Sequence, residues 1–209
     1  PKSAQWEDNT LSHNTVVVNA QRQSVTRTAR PELFARFEDF GGFCVDSPGV
    51  YPGVTRVYRR TMAAVRVAPD ASYALDVFHV QGGRDHLISY HALPGPVQAE
   101  GLNLFRQVGG SYAGTDTPYG TSISGSGMGY SWLKEVERDP APPESFVLDV
   151  RGTPPFPNLN GTEDLHVRYH SFTRFTDVAL ADGVPPGANP PAIRYFLGHR
   201  AFPPAEDGT

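Results

Sequence analysis

The chain has 209 residues, of which 39% are hydrophobic and 19% charged, and its formal net charge is −4. This length is sufficient to bury a hydrophobic core. A negative net charge with scattered basic residues does not give the basic surface that nucleic-acid binding requires. Its 21 glycines and 20 prolines make up about a fifth of the 209 residues, whereas the average share of the two together is about 12%. This excess favours many turns over a helical bundle. The sequence therefore predicts a soluble, β-rich globular protein. It contains no apolar run long enough to predict a membrane span and no visible signal peptide, and its single cysteine, Cys44, excludes an intrachain disulfide.

Apolar residues in the first half recur with the two-residue period of half-buried strands. The β-branched run Thr15–Val18 predicts a strand buried on nearly both faces. A long strand is predicted over 54–67, and turn residues over 69–72 connect it to a second strand over 73–80, so the two should form a hairpin.

The second half is richer in loops. Residues 109–129 contain many Gly, Ser and Thr and predict a long surface excursion. The helical pattern is best over 31–37, with Pro31 in the first turn. Further strands are predicted over 86–91, 146–150, 165–172 and 193–197, with a loop over 154–160 and a turn over 181–186.

Short strands separated by turn residues, without an internal repeat, predict the fold class. We expect an all-β antiparallel β-sandwich, super-sandwich-like, with long loops and little helix. Residues 1–209 are expected to form a single domain.

The chemistry available to this chain is that of histidine and carboxylate, because it has seven histidines and one cysteine. His13 stands just before the predicted buried strand that begins at Thr15, so we expect it at a sheet edge facing a cleft, with its ring free to meet a ligand from outside the chain. A neutral imidazole there could bind zinc together with two or three further ligands. The alternative is a histidine satisfied by a backbone carbonyl.

The remaining histidines are weaker candidates. His79, His86 and His91 flank a turn, but His79 alternates onto an aliphatic strand face, which favours a buried, hydrogen-bonded histidine over half of a metal site. His166 and His170 share one strand face at a separation of roughly 13 Å, too far for one metal ion to bridge. We interpret both as surface or groove histidines.

Two adjacent arginines lie in the middle of the long predicted strand. Arg59 and Arg60 face opposite sides, so one of them must point inward unless the strand is at an edge. An inward arginine needs a carboxylate, and Asp76 on the neighbouring strand is the first choice. Substrate binding is the alternative role.

No nucleophile elbow, phosphate-binding loop or dinucleotide-binding motif is present. A sugar hydrolase would need two carboxylates about 5 to 10 Å apart. Asp76 with Asp149 or Asp164 can be proposed for that role, although no spacing selects them.

Residues 12–19 (SHNTVVVN) are similar to the His-Asn-Thr segment in the C-terminal β-domain of heparinase II/III-like polysaccharide lyases. Ala20 stands where that family usually has glycine. The resemblance extends to about residue 93, and beyond it rests on strand order and on LDV at 148–150. The blocks that follow in the family's order are 51–54 (YPGV), 58–60 (YRR), 73–78 (YALDVF), the Gly-Gly pair at 82–83 and the histidine-rich strand 86–91.

The resemblance implies a chemistry and a metal. Members of the family pair this β-sandwich with an α/α toroid and cleave uronate-containing polysaccharide by β-elimination. The toroid supplies most of the catalytic groups, and the β-domain holds a structural zinc through two histidines and an aspartate. His13 matches one of those ligands. The segments that carry the others, His-x-His and Asp-x-Gly, have no counterpart in this sequence, so those ligands are expected from another segment or chain.

We therefore expect a component of a carbon-oxygen lyase that acts on an acidic polysaccharide in the bacterial periplasm or outside the cell. Its expected partner is an α/α toroid domain or a second chain of the same protein, and no catalytic residue is assigned here. The chain alone should be inactive, because in the family the base and the acid come largely from the toroid. Tyr112, Tyr119 and Tyr130 lie in or beside residues 109–129 and could serve as acids, but nothing predicts a base opposite them. The alternative is a non-catalytic carbohydrate-binding or structural module, in which His13 is only structural.

Overall fold

The computed structural model describes residues 2–26, 28–123, 127–154, 164–185, 187 and 192–203. The chain divides into two compact units: a framework unit, Pro1–Arg22 with Asp85–Thr209, and an inserted unit, Gln23–Arg84. Three antiparallel sheets make the fold all-β and sandwich-like with little helix, which confirms the predicted class. Among the described residues, no helix has the length and apolar character needed to cross a membrane.

The regular elements are short helical segments and strands. Helix α1 spans Lys2–Glu7, and single 3₁₀ turns occupy Thr10–Ser12, Pro48–Val50 and Gly129–Trp132. The described residues form the strands β1 (Thr15–Val18), β2 (Arg30–Arg36), β3 (Phe40–Asp46), β4 (Thr55–Ala68), β5 (Ala71–Gly82), β6 (Asp85–His91), β7 (Val97–Glu100), β8 (Phe105–Arg106), β9 (Leu133–Asp139), β10 (Phe146–Arg151), β11 (His166–Ser171), β12 (Asp177–Gly183) and β13 (Ile193–Ala201).

The framework unit is built on a six-stranded antiparallel sheet in the order β1-β6-β13-β12-β9-β8. Strand β12 lies inside this sheet and is buried on both faces. Ala179 and Ala181 face one hydrophobic core, and Val178 and Leu180 face another. Apolar layers therefore cover the sheet on both sides.

The first core lies under the N-terminal segment and the long loop between β8 and β9. Trp6 of α1 and Leu11 pack with Trp132, whose indole N–H donates to the carbonyl of Thr121 at 3.0 Å. The predicted surface excursion therefore has a structural role, because it carries side chains that cover this core. These are Tyr112, Ile123 and Met128.

The second core lies between the six-stranded sheet and a three-stranded sheet in the order β11-β10-β7. Phe146 and Leu148 of β10 pack against Val178 and Leu180 of β12. Burying a side chain such as Leu148 contributes about 1.5–3 kcal/mol. A cavity of about 10 Å³ beside Tyr169 in this layer has the volume of roughly one water probe and is too small for a substrate.

A tight turn follows β1. Asn19 and Ala20 both adopt the left-handed conformation, at φ 52° and 50°. The turn is tied to β6, since the Asn19 N–H donates to the Asp85 carbonyl at 2.8 Å and the Asp85 N–H donates to Asn19 Oδ1 at 3.2 Å. Glycine adopts this conformation without steric cost, whereas Asn19 and Ala20 each carry a Cβ there.

The inserted unit is a four-stranded antiparallel sheet in the order β2-β3-β4-β5. The hairpin predicted from the sequence is confirmed: β4 and β5 pair along their lengths and close at Pro69 and Asp70, between the paired residues Ala68 and Ala71. Strands β2 and β5 are the edges of this sheet.

The helix predicted over 31–37 is wrong, because Arg30–Arg36 forms strand β2. Phe34 pairs with Phe43 of β3, and this long-range ladder outweighs the local helix-start pattern. The register shifts between Pro31 and Leu33, so the proline sits at an irregularity of an edge strand, where its missing N–H is tolerated.

The turn predicted over 181–186 does not begin at Ala181, because the strand before it continues further. Strand β12 continues through Asp182 to Gly183, which pairs with Ile193 of β13; Pro186 and most of the predicted loop over 154–160 lie outside the described residues. Five further strands have too weak a local pattern to be predicted from the sequence. They are β3, β7, β8, β9 and β12.

Candidate functional site

His13 lies between the Thr10–Ser12 turn and β1, the edge strand of the six-stranded sheet. Its ring is exposed, and Nε2 lies 2.7 Å from the carbonyl oxygen of Glu7. A carbonyl only accepts, so this bond requires the hydrogen on Nε2, and in the neutral ring the lone pair is then on Nδ1. One nitrogen of His13 is thus held by the backbone and the other can bind a ligand.

Asn14, the next residue of the His-Asn-Thr segment, holds the end of β1 against the end of β6. Its Nδ2 donates to the His91 carbonyl at 3.0 Å, and its Oδ1 accepts from the His91 N–H at 2.8 Å. The amide side chain thus imitates a strand residue and extends the ladder beyond Thr15, which pairs with Ser89. The segment therefore fixes His13 near His91.

The environment of His91 favours its neutral form. Burial lowers its pKa, and the charge of nearby His13 lowers it further. Its ring packs against Tyr195 at a centroid distance of 4.6 Å. Its Nδ1 is buried and has no hydrogen-bond partner within the described residues.

These residues do not complete a zinc site. Within the described parts of the chain, no three His, Cys, Asp or Glu side chains come together in a way that could hold a metal ion. Structural zinc needs four ligands, and the site offers His13 with His91 as its neighbour. A zinc ion bound here would take its remaining ligands from outside the described residues, so the role of His13 as a zinc ligand stays a prediction.

The arginine pair of β4 is where the sequence predicts it. Arg60 makes a two-point ion pair with Asp76 across the sheet, at 3.0 Å from Nε and 2.6 Å from Nη2. Arg59, on the opposite face, binds Glu32 at 2.8 Å and lies 3.9 Å from Asp46. The predicted cross-strand pairing is confirmed, and both arginines have structural partners.

The predicted burial of His79 is wrong: this side chain is exposed. Its strand face also leaves the aliphatic residues Leu75 and Val77 about half exposed, so alternation indicates the face but not its burial. His86 contacts the ring of Phe202 at 5.0 Å. His170 is exposed, as predicted.

His166 lies in an exposed ion-pair cluster. Its Nδ1 bonds Asp149 at 2.8 Å and its Nε2 lies 3.3 Å from Asp164, and the hydrogen bond to Asp149 raises the pKa of the ring. The hydrogen bond from Arg151 lowers the pKa of Asp164. A hydrolase needs an acid with a raised pKa, so Asp164 is unsuited to that role.

The three tyrosines considered as acids, Tyr112, Tyr119 and Tyr130, differ in what they pack against. Tyr112 is packed beneath the Arg138 guanidinium at 4.4 Å, and burial raises its pKa to about 12. Tyr130 meets its ring edge-on at 5.4 Å. Tyr119 lies elsewhere, with its hydroxyl donating to the Val184 carbonyl at 2.8 Å. Tyr112 and Tyr130 thus support the first core.

One cluster of the framework unit carries no signal in the sequence. His199 of β13 is held between Asp177 at 2.6 Å from Nδ1 and Asp85 at 2.7 Å from Nε2. The hydrogen bond to Asp177 is the main cause that raises its pKa to about 9, with Asp85 adding to it. Three segments distant in sequence meet here, so only the strand order could reveal this cluster.

No protein-family model matches this sequence, and no curated protein matches it either.

Proposed function

We propose that this chain is the β-domain of a polysaccharide lyase that cleaves uronate-containing polysaccharide by β-elimination in the bacterial periplasm or outside the cell. An α/α toroid, in the same protein or in a second chain, would supply the remaining catalytic groups. The ground for this family is the resemblance of the His-Asn-Thr segment and the blocks that follow it. The sandwich-like fold is compatible with that resemblance.

The observation that carries the proposal is the pair His13 and His91 at the end of β1. Asn14, the second residue of the motif, makes two side-chain hydrogen bonds to the His91 backbone and so ties the segment that carries His13 to the end of β6. This gives the motif a physical purpose, which is to hold an exposed imidazole beside a partly buried one at a sheet edge. A partner domain that docks there would meet the exposed ring of His13, with the partly buried His91 behind it.

The reaction sets what such a site must do. A base removes the C5 proton of the uronate, the C4–O4 bond breaks as a C4–C5 double bond forms, and an acid protonates the departing O4. The carboxylate must also be neutralised to stabilise the charge that develops. A histidine kept neutral, as burial and His13 keep His91, is suited to accept a proton or to bind a metal.

The second candidate function is a non-catalytic carbohydrate-binding or structural module. The hydrogen bond from His13 to the Glu7 carbonyl favours it, because one ring nitrogen already has a purely structural partner. The two functions differ in their response to His13→Ala. A lyase domain would lose zinc and activity, whereas a binding module would keep its carbohydrate affinity.

The product distinguishes them directly, because β-elimination leaves an unsaturated uronate that absorbs in the ultraviolet. We expect the complete natural protein to raise the absorbance on at least one of alginate, heparin, heparan sulfate and hyaluronan, and His13→Ala to reduce both this rate and the bound zinc. The isolated 209-residue chain should give no rise.

Two outcomes contradict the proposal. If the complete protein shows no rise on any of these polymers, the chain is not part of a lyase for them. If the isolated chain shows a clear rise that His13→Ala abolishes, the catalytic centre lies within this chain and no toroid is required.

A further inference from the structure

A groove of about 470 Å³ opens on the framework unit, and its lining residues are distant from His13 in the sequence. It is lined by β8, the turn that follows it, Tyr119 and the start of β9. This volume falls within the range of roughly 300–1,000 Å³ typical of small-ligand sites. Its polar and charged lining residues are Arg106, Gln107, Tyr119, Lys134 and Glu135.

We propose that this groove binds a carboxylate-bearing sugar unit of an acidic polysaccharide, with Lys134 as the principal cation and Arg106 as the second. The choice of a uronate rests on the proposed function, whereas the positive charge and polarity are properties of the groove itself. The groove would be a carbohydrate subsite separate from the His13 pair.

The charge balance of the groove favours an anion. Arg106 pairs with Glu135 at 2.5 Å, which leaves Lys134 to set the net charge of the lining. Lys134 forms no salt bridge within the described parts of the chain. Its ammonium instead lies over the Tyr119 ring, 5.2 Å from the centroid. A cation held by a ring face keeps its N–H donors available, so an incoming carboxylate can bind it.

The ring that holds Lys134 is itself fixed. The Tyr119 hydroxyl donates to the Val184 carbonyl at 2.8 Å, and burial raises the pKa of Tyr119, so the phenol stays neutral beside the lysine. The ring therefore positions the ammonium without neutralising it. This arrangement differs from the exposed Arg168–Glu100 pair at 2.8 Å, whose charges cancel.

A bulge in β9 brings Lys134 and Glu135 to the same groove. Lys134 pairs with Asp182 and Glu137 with Leu180, so two residues of β9 oppose one residue of β12. Glu135 takes the left-handed conformation at φ 49° to make this possible. Bulges re-aim side chains and are frequent beside functional sites. Without it, these two neighbours would point to opposite faces.

The turn on the other side of the groove is built for close approach of the backbone. Gly110 has φ 68°, and a Cβ there would overlap the carbonyl of Gly114. The Gln107 amide donates to the carbonyls of Gly109 at 3.0 Å and Ser111 at 2.8 Å, which holds the turn in place. A turn held by its own hydrogen bonds loses little entropy when a ligand binds against it.

The composition of the chain permits a direct test, because Lys2 and Lys134 are its two lysines. Reductive methylation with ¹³C keeps the positive charge and gives each lysine a separate NMR signal, assigned with Lys134→Arg. Unsulfated oligogalacturonate, oligomannuronate and hyaluronan fragments serve as probes. We expect at least one to shift the Lys134 signal and to leave the Lys2 signal unchanged.

Calorimetry on the unmodified chain supplies the affinities. Lys134→Met should weaken binding of the same fragment by about tenfold or more, as expected for loss of a charge-assisted bond. Arg106→Gln should weaken it less, because Arg106 is already paired. The matched control is Arg168→Gln, which breaks an exposed arginine–glutamate pair outside the groove and should change the affinity less than about twofold. The methyl-esterified fragment should not bind.

The inference is overturned if no probe moves the Lys134 signal, if the methyl ester binds as tightly as the free acid, or if Lys134→Met and Arg168→Gln bind equally. It is also overturned if inorganic phosphate, at the same concentration as the fragment and with the ionic strength held constant, displaces the fragment completely. Its failure differs from that of the lyase proposal: groove binding without an absorbance rise by the complete protein removes the lyase alone, and a rise without a Lys134 shift removes the groove alone.

Discussion

The two units of this chain solve the problem of covering a β-sheet in different ways. In the framework unit the six-stranded sheet has an apolar layer on each face, and β12 buries Val178 to Ala181 without interruption. In the inserted unit the four-stranded sheet leaves large side chains partly or largely exposed. Examples are Phe34 at 81%, Phe37 at 71% and Leu75 at 53%.

This difference indicates where the free energy of folding is concentrated. Hydrophobic burial is the dominant favourable contribution and scales with the apolar area removed from water. The same residue type should therefore contribute much more in the framework unit than in the inserted sheet. In the inserted unit we expect specific polar contacts, such as those of Asp46, to carry a larger share of the stability.

The largest expected effect tests this contrast with one substitution in two places. Leu133 is fully buried in the first core, and Leu75 is about half exposed on β5. We expect Leu133→Ala to lower the free energy of unfolding by about 2–5 kcal/mol, and Leu75→Ala by less than about 1 kcal/mol. Urea titration followed by tryptophan fluorescence reports the framework unit, because both tryptophans, Trp6 and Trp132, belong to it.

Circular dichroism on the same samples reports both units. If Leu75→Ala costs as much as Leu133→Ala, the exposed face of the inserted sheet is covered in solution and the contrast between the units is broken. Equal transitions by fluorescence and circular dichroism would mean that the two units unfold together.

A second prediction concerns the buried carboxylate of the inserted unit. The Asp46 side chain is 2% exposed, accepts the Tyr58 N–H at 3.0 Å and pairs with Arg30 at 3.0 Å. Asp46→Ala leaves that N–H without its acceptor, so we expect a loss of about 1–3 kcal/mol. Asp46→Asn can keep the bond to Tyr58 and should cost less, whereas the more exposed Asp76→Ala should cost roughly 1 kcal/mol or less. Amide exchange of Tyr58 measures the effect locally.

The third prediction is a pH dependence that belongs to the framework unit. The two aspartates raise the pKa of His199 to about 9, so the folded chain holds this proton more tightly than the unfolded chain, whose histidine has the ordinary pKa of about 6.5. The stabilisation is therefore complete below pH 6.5 and is lost as the pH rises through 9.

We expect the free energy of unfolding to decrease by about 1–2 kcal/mol over this pH range. The figure is modest because the His199 side chain is 24% exposed, so solvent screens part of the interaction. The urea concentration at the midpoint of unfolding, followed by tryptophan fluorescence, should decrease as the pH is raised from 6 to 10. His199→Gln should flatten that profile. A wild-type profile as flat as that of the variant would show that the aspartates do not hold the proton.

The sequence predicts those parts of the fold whose pattern is local. The β-branched run of β1 and the alternation of the β4–β5 hairpin are confirmed, and so is the pair of Arg60 with Asp76, because a tight turn sets the register of adjacent strands. The local pattern of β2 predicts a helix, because its identity as a strand depends on pairing with β3, which is a contact outside any local window.

The candidate sites follow the same division. The position of His13 at the start of β1 follows from its neighbours in sequence. Its proximity to His91 follows from the pairing of β1 with β6, which the sequence does not reveal. The groove depends on a bulge that forms only when β9 pairs with β12, so Lys134 carries no local signal.

The smallest predicted effect compares the bulges of the two units. In the framework unit, Glu135 occupies the left-handed region, where a residue with a Cβ is strained and glycine is not. Glu135→Gly should therefore be more stable than Glu135→Ala by about 1 kcal/mol. In the inserted unit, β4 has an irregularity between Thr55 and Val57, but Arg56 is not among the described residues with positive φ.

At Arg56 the order should reverse, with Arg56→Ala more stable than Arg56→Gly by about 0.5–1 kcal/mol, because glycine there only adds entropy to the unfolded chain. Comparing Gly with Ala at each site cancels the loss of the native side chain, so the difference isolates the backbone. Urea unfolding of the four variants provides the measurement. If glycine is the less stable residue at both positions, the backbone at Glu135 is not strained and another cause must place its side chain in the groove.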